Sequence, residues 1–302
     1  MIEILQPGLL TTIQDSGRNG YEAYGVPRSG FFDLFLAEIA NRLIGNQIDA
    51  PLLEFAMIGP TVVFEESCAI AITGFEVTYK KGNQVIPQFQ AFSIEKGSVL
   101  QFGGMKGWFG YIAVAGGIRG EKVLGSVSTH FSANLGKKLS KGDRLETGDP
   151  ADEFYELRKE AWSFPEDAPL DLLPACHTED FLKSELRKIT EQDYVVSSQS
   201  NRMGIRLEGS RVESPILKRS VPALIGAVQV PGSGMPIILG PEGPTTGGYA
   251  QIGIISRVSW TVLAAKTPGS SLTFSWIEPE KARTDWNDRK SLFVTPDAWR
   301  RL

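Results

Sequence analysis

"QAFSIEKGSVLQFGGMKGWFGYIAVAGG", residues 90–117, decides the fold class. Short apolar runs alternate with glycine breaks, and the runs are rich in β-branched and aromatic residues. The pattern extends outward in both directions. Upstream lie "TVVFEES", "AIAIT" and "EVTYKKG"; downstream lie "YVVSSQ", "GAVQVPG", "MPIILG", "AQIGIIS" and "SSLTFSWI". Turn residues recur roughly every eight to twelve positions, the spacing of a sandwich or barrel. The fold is therefore expected to be mainly β with a few short helices. "MIEILQPGLL" reads as a first strand entering a turn at Pro7-Gly8, and Lys80-Lys81-Gly82-Asn83 reads as a hairpin turn.

Three segments read as helices. "SGFFDLFLAEIANRLIGN", Ser29 to Asn46, places Phe32, Phe35, Ile39 and Leu43 on one face. Ser29 is its expected N-cap, Asp33 lies in the first turn, Gly45-Asn46 is the stop, and Glu38 and Arg42 are i,i+4 partners. "TEDFLKSELRKIT" reads as an amphipathic helix capped by Thr178, and "TPDAWRRL" as a short helix begun at Pro296. Residues 149–171 are charged and proline-bearing, without β-alternation. The expected division is a β-rich domain over residues 1–150 with its helix near 30–45, a linker over 151–168, and a second β-rich domain over 169–302. Gln14–Gly20 and Gln199–Gly204 echo one another, as do Pro27-Arg28-Ser29-Gly30 and Pro231-Gly232-Ser233-Gly234. Two related domains or two generic glycine turns both account for this.

Composition excludes several functions. The chain has 302 residues, a net charge of −4 and 22% charged residues, which gives no reason to expect nucleic acid. No apolar run approaches membrane-spanning length, the first residues lack the basic region and long apolar core of a signal peptide, and the sparse cysteines lead to the expectation of a cytoplasmic protein. The two cysteines, Cys68 and Cys176, form no disulfide framework. Cys176-His177 is read as a buried thiol beside a surface imidazole, and no metal site is expected. There is no G-x-S-x-G elbow and no G-x-x-x-x-G-K-[ST] loop. Chemistry here falls to carboxylates, hydroxyls, Arg/Lys and backbone amides.

Three stretches can carry it. "IQDSGRNGYEAYGVPRSGFFD" crowds Asp15, Arg18, Tyr21, Tyr24, Arg28, Ser29 and Asp33 into one loop before a helix N-terminus. Either its arginines hold an anion, or Asp15 pairs with Arg18 and the glycines simply turn. "GGMKGWFGYIAVAGGIRGEKVLGSVSTHF" offers Ser126, Ser128 and Thr129 hydroxyls, though serine-rich turns more often only turn. "PEGPTTGGYAQIG" keeps its backbone open, and Gly247-Gly248 admit a close approach. Its Glu242 is a candidate base or a plain surface carboxylate.

Taken in order, "TTIQDSGRNGYEAYGVPRSGFFD", "ANRLIGN", "LEFAMIGP", "AVAGGI", "SNRMGIRLEG", "AVQVPGSGMPIIL" and "TTGGY" resemble the biotin-dependent carboxyltransferase-like (AHS2) family. That family includes the C subunit of 5-oxoprolinase, KipA-like proteins and the terminal region of urea carboxylase. The resemblance runs from about residue 3 to 278 and implies two β-rich domains of cyclophilin-like barrel architecture. It implies an AHS1/KipI-like partner and a LamB/YcsF-like subunit, a small polar amide or lactam substrate, and ATP-dependent opening of 5-oxoproline to glutamate, with ATP a requirement of the complex. Two alternatives are a KipA-like regulator without catalysis, and a carboxyltransferase component using biotin carried on another chain.

Matched by motif, the resemblance places Asp15 and Arg18 in the site, and these two, with the candidate base Glu242 of the glycine loop, are expected to be catalytic. It assigns Ser29, Gly30, Asp33, Arg202, Gln229, Thr245, Thr246, Gly247, Gly248 and Tyr249 to substrate binding, with Pro27, Asn41, Glu54, Met203, Gly204 and Pro231 in the same motifs. The expected site lies where the "QDSGR", "GVPRSG" and "TTGGY" loops meet. Three positions depart from the pattern. Val127 stands where an arginine is usual, Pro241-Glu242-Gly243-Pro244 replaces an Asp/Gln-bearing stretch, and Ala250 replaces a proline.

Overall fold

The computed structural model describes residues 1–81, 88–150, 153–158 and 166–302. It is 17% helical and 35% strand, mainly β as expected. The chain forms two compact units. The first is Met1–Arg18, Ser29–Ser163 and Phe293–Leu302; the second is Asn19–Arg28 and Phe164–Leu292.

The first unit contains β1 (Ile2–Gln6), β2 (Leu10–Gln14), β3 (Leu52–Ile58), β4 (Thr61–Phe64), β5 (Cys68–Thr73), β6 (Tyr79–Lys81), β7 (Ala91–Ile94), β8 (Val99–Phe102), β9 (Gly104–Val114), β10 (Arg144–Leu145) and β11 (Tyr155–Leu157). One five-stranded sheet runs β10-β1-β4-β8-β6 and the other β2-β3-β9-β5-β7. Ile4, Phe64 and Leu100 of one sheet pack with Ile13, Leu53, Ile72 and Ile112 of the other, forming the core of the unit. Residues 69–73 and 107–114 are buried at every position, losing the inside–outside alternation of a half-exposed strand. The cause is helix α1 (Leu34–Leu43), which packs on β5 and β9. Thr73 donates its hydroxyl to the Leu36 carbonyl at 2.8 Å, and Phe32 stacks on Phe109 at 4.1 Å. Gly110 pairs with Phe55 across strands, and the Phe55 ring lies where a Cβ on Gly110 would stand, 2.6 Å away.

Helix α1 starts later than the sequence implies. Ser29 has φ 57° and Gly30 φ 85°, both left-handed, so neither continues into a helix. The N-cap is Asp33, whose Oδ1 accepts from the amides of Phe35 (2.9 Å) and Leu36 (3.4 Å). The C-terminal stop stands as read: Gly45 has φ 69° and donates to the Arg42 carbonyl at 3.1 Å. Asn41, assigned to the site by motif, instead secures this end by donating to the carbonyls of Ala50 (2.8 Å) and Ile48 (3.3 Å). The charged stretch after residue 149 contains β11, which pairs antiparallel with the strand Trp299–Arg301. The helix expected over "TPDAWRRL" is thus only a 3-10 turn, Pro296–Ala298, before that strand. Lys80 and Lys81 end β6, and the Gly82-Asn83 turn lies outside the described residues.

The second unit contains β12 (Leu170–Pro174), β13 (Tyr194–Val196), β14 (Gly204–Glu208), β15 (Val221–Pro222), β16 (Ala227–Val230), β17 (Ile237–Leu239), β18 (Thr246–Gly247), β19 (Ala250–Ile255), β20 (Ser271–Leu272) and β21 (Phe274–Trp276). Eight strands, β20-β13-β14-β17-β16-β19-β12-β21, make a nearly closed barrel sheet, and β15 pairs with β18. All pairs are antiparallel except β12 with β21. The helix read over "TEDFLKSELRKIT" is a 3-10 turn, Thr178–Asp180, followed by α2 (Lys183–Lys188), because Phe181 is extended. Thr178 does not cap α2; its hydroxyl accepts from the Ala175 amide and donates to the Ile252 carbonyl, each at 2.7 Å. Two further helices, α3 (Ser259–Ala265) and α4 (Pro279–Ser291), escape the sequence reading. Only Ala282 of α4 is buried, so it has no apolar stripe to recognise.

Phe55→Ala leaves Gly110 uncovered inside the core. It is expected to cost about 3–5 kcal/mol, read as a fall in the denaturant midpoint.

Candidate functional site

In the first unit the polar loop is organised around Asp15. Its Oδ1 accepts from the Gly17 amide (2.8 Å) and from the hydroxyls of Ser126 (2.5 Å) and Ser128 (2.6 Å), and its Oδ2 accepts from the Val127 amide (2.9 Å). The Asp15 amide donates back to Ser128 Oγ at 3.0 Å. A carboxylate with this many donors is a fixed anchor, held by hydroxyls rather than by the adjacent arginine. Arg18 is fully buried. Its Nε donates to the Val123 carbonyl at 3.1 Å and its Nη2 donates to the Ser128 carbonyl. In place of the Asp15–Arg18 pair of the sequence reading, Nε and Nη2 of Arg18 join residues 15–18 to residues 123–128 in one polar lock.

The "RSG" turn presses on this lock. A Cβ on Gly30 would stand 2.9 Å from the Gly17 nitrogen and 3.0 Å from the Asp15 oxygen, and Phe31 donates to that same carbonyl at 3.0 Å. Ser29 is buried in its left-handed conformation, with no hydrogen-bond partner for its hydroxyl among the described residues. Asp33 and Glu54 serve the entry to α1: the Asp33 amide donates to Tyr111 OH and the Phe32 amide to Glu54 Oε2, each at 2.7 Å. The structure thus brings Asp15, Arg18 and Gly30 together, while Asp33 serves the helix.

In the second unit Arg202 and Glu242 form a buried ion pair, Nε to Oε1 at 2.6 Å. The Glu242 amide also donates to the Arg202 carbonyl at 3.1 Å. Gly240 sits so close that a Cβ there would stand 2.2 Å from the Arg202 oxygen. Glu242 is therefore neither a lone surface carboxylate nor an open one. Beyond it the chain emerges: Thr246, Gly248 and Tyr249 are exposed, and β18 pairs Thr246 with Pro222 and Gly247 with Val221. Gln229 lies beneath this loop, only 3% exposed, and its Nε2 has no hydrogen-bond partner among the described residues. That nitrogen would be 3.0 Å from a Cβ on Gly247, and Gly248 has open space where its side chain would be. Its strand partner Gln251 donates its own Nε2 to the Pro222 carbonyl at 2.7 Å. Gln229 thus offers an unspent buried N–H donor at a glycine gap, which suits a carbonyl or carboxylate oxygen.

A model of the family "carboxyltransferase domain, subdomain A and B" matches residues 24–276. The chain belongs to this carboxyltransferase domain family. It is 32% identical to the C subunit of 5-oxoprolinase from Escherichia coli K12, over 99% of this chain and 98% of that protein. It is 30% identical to urea amidolyase of Saccharomyces cerevisiae, over 94% of this chain but 17% of that protein. The crystal structure of the K. lactis urea amidolyase superposes with a TM-score of 0.88 at 27% identity, covering 96% of this chain and 19% of that one.

Against this carboxyltransferase-domain background, Val127 has a physical account. Its amide serves Asp15 while its side chain lies in the core of the first unit, against the position a Gly120 Cβ would take. The loop is held by its backbone and serines and needs no side chain from residue 127. Ser126 and Ser128 reach Asp15, whereas Thr129 donates to the Lys137 carbonyl at 2.9 Å. The sequence reading missed Gln251, whose only signal was a polar residue two positions after the "TTGGY" run. It also reversed the Cys176-His177 pair: the thiol is exposed and the imidazole buried. Arg28, in the second unit, has its pKa lowered by burial first and then by Arg257, with Glu22 opposing. The arginines of the internal echo, Arg18 and Arg202, are both buried, and Gly30 and Gly234 both have positive φ.

Two outcomes are expected. Glu242→Gln strands the Arg202 charge and should cost about 3–5 kcal/mol, while the paired change Arg202→Met with Glu242→Leu should recover most of it in denaturant titrations. Val127→Arg should lower the melting temperature, because it forces a guanidinium into an apolar core.

Proposed function

We propose that this chain is the C-type component of a 5-oxoprolinase. It would act with an AHS1/KipI-like and a LamB/YcsF-like subunit to open 5-oxoproline to glutamate at the expense of ATP. Similarity to the C subunit of 5-oxoprolinase through nearly the whole of both chains supports the assignment. The observation that carries the chemistry is the unspent Gln229 donor beneath Gly247. A lactam presents a carbonyl oxygen, and a buried N–H aimed at a glycine gap holds such an oxygen and stabilises charge developing on it. In the reaction water adds to the lactam carbonyl, the C–N bond breaks, and the ring nitrogen takes up a proton. Thr245, Thr246 and the Gly247-Gly248 backbone orient the ring in this reading, with Tyr249 at the rim. Glu242 acts through its ion pair, which fixes the loop root; a base role would require that pair to open. Asp15 and Arg18 likewise position their loop, with Ser29 presenting its hydroxyl nearby in sequence.

The described residues contain no cluster of three or more His, Cys, Asp or Glu placed for a metal ion, and hydrogen bonds of Arg18 and Arg202 run to protein oxygens. In this reading ATP is a requirement of the complex. Similarity to urea amidolyase favours a second reading, a carboxyltransferase component receiving biotin from another chain.

The test is reconstitution with the two partner subunits, measuring glutamate from 5-oxoproline with ATP. ATP-dependent glutamate is expected; a well-formed but inactive complex rejects the assignment. In an active complex Gln229→Leu should raise KM about tenfold or more, matching the loss of roughly 1.5 kcal/mol of hydrogen bonding. An unchanged KM removes Gln229 from the site.

A further inference from the structure

Gln251 belongs to none of the matched motifs, yet the strand register sets it directly opposite Gln229. β16 and β19 pair at these two residues, so both side chains leave the same face of the barrel sheet. The register shifts between Val228 and Gln229, where β19 carries one extra residue, Ile252. A bulge of this kind re-aims the side chains beside it, and Thr178 holds it in place by donating to the Ile252 carbonyl at 2.7 Å.

Both glutamines are buried, and both reach the ribbon of β15 and β18. Gln229 Nε2 lies beneath Gly247, 3.0 Å from where a Cβ would stand. Gln251 Nε2 donates at 2.7 Å to the carbonyl of Pro222, next to the strand partner of Gly247, Val221. A carbonyl only accepts, so this contact fixes which end of the Gln251 carboxamide is nitrogen and leaves Oε1 as its acceptor. Gln229 Nε2 has no hydrogen-bond partner among the described residues, so the two neighbouring carboxamides are not joined to each other. A buried donor without a partner is costly to the fold, and a ligand oxygen offsets that cost. The pair thus offers a donor from one strand beside an acceptor from the next. An open-chain trans amide points its C=O and N–H in opposite directions, whereas an amide closed into a small ring is cis and sets them side by side on one edge.

We propose that Gln229 and Gln251 form a two-point reader for a cis-amide edge: Gln229 Nε2 donates to the ring carbonyl oxygen, and Gln251 Oε1 accepts from the ring N–H. The choice of a lactam rests on the 5-oxoproline reading; Gln251 adds a requirement of its own, a hydrogen on the ring nitrogen. A lactone of the same shape carries an oxygen there and sets its lone pairs against Oε1.

Calorimetric titration without ATP measures binding of 5-oxoproline, and of the lactone with oxygen in place of its N–H. Both are titrated into the full chain and into its complex with the two partner subunits. The lactam is expected to bind at least about tenfold more tightly than the lactone. Gln251→Met should bring that ratio down to about one. Loss of the Pro222 contact by itself weakens both ligands alike, so the ratio separates reading the N–H from holding the ribbon. Equal affinities for the unmodified protein overturn the proposal with no variant involved, as does failure of 5-oxoproline to bind either form. A Gln251→Met chain of native circular dichroism that keeps the preference overturns it too. Glutamate formation is measured separately: a complex that prefers lactam to lactone but never hydrolyses it upholds the glutamine pair and rejects the 5-oxoprolinase reading.

Discussion

The Asp15 carboxylate is the constraint on which the first unit's polar loops depend. It gathers two serine hydroxyls and two backbone amides from segments more than a hundred residues apart in sequence. Deep in a protein such groups are costly to leave without partners, so each one satisfied here helps to fix a loop that lies outside the two sheets. Arg18 works from the other side, capping carbonyls of the same distant segment. Gly30 then packs against the backbone so closely that only hydrogen is tolerated. The order of dependence runs from the carboxylate to the turn, and from the turn to the start of α1.

The second unit solves the related problem with an ion pair. Arg202 and Glu242 are both withdrawn from water, and their mutual attraction offsets a desolvation cost neither would bear alone. With the loop root fixed in this way, the following glycines are left open to solvent. The contrast within one loop is informative: satisfied polar groups at its base, an unspent Gln229 donor beneath its tip.

Much of the fold could be read from the chain because apolar alternation and glycine punctuation report strands directly. Residues 90–117 became β7, β8 and β9, and the apolar face of α1 was evident from Phe35, Ile39 and Leu43. What could not be read was direction. Crowded polar residues at 15–33 look alike whether they face a ligand or one another, since spacing says nothing of where lone pairs point. Ser29 resembled a cap because serine often is one, yet backbone sterics around Gly30 moved the cap to Asp33. The polar α4 carried no periodic signal at all, and its Pro279 start was the sole clue. Cys176 and His177 were chosen as a pair by adjacency, but burial depended on the anchoring of Thr178, which only the folded barrel supplies.

Residues 293–302 belong to the first unit, where Trp299–Arg301 lies alongside β11 and the Trp299 ring meets the Arg42 guanidinium at 5.1 Å. On the ribosome that unit stays short of a strand until residue 301 has been made, which at about 5–20 residues per second takes tens of seconds. During that interval the edge of β11 has no neighbour and is open to any passing extended peptide. Synthesis of this turn and strand thus acts as a clasp, closing the first-made unit only when the second has already emerged.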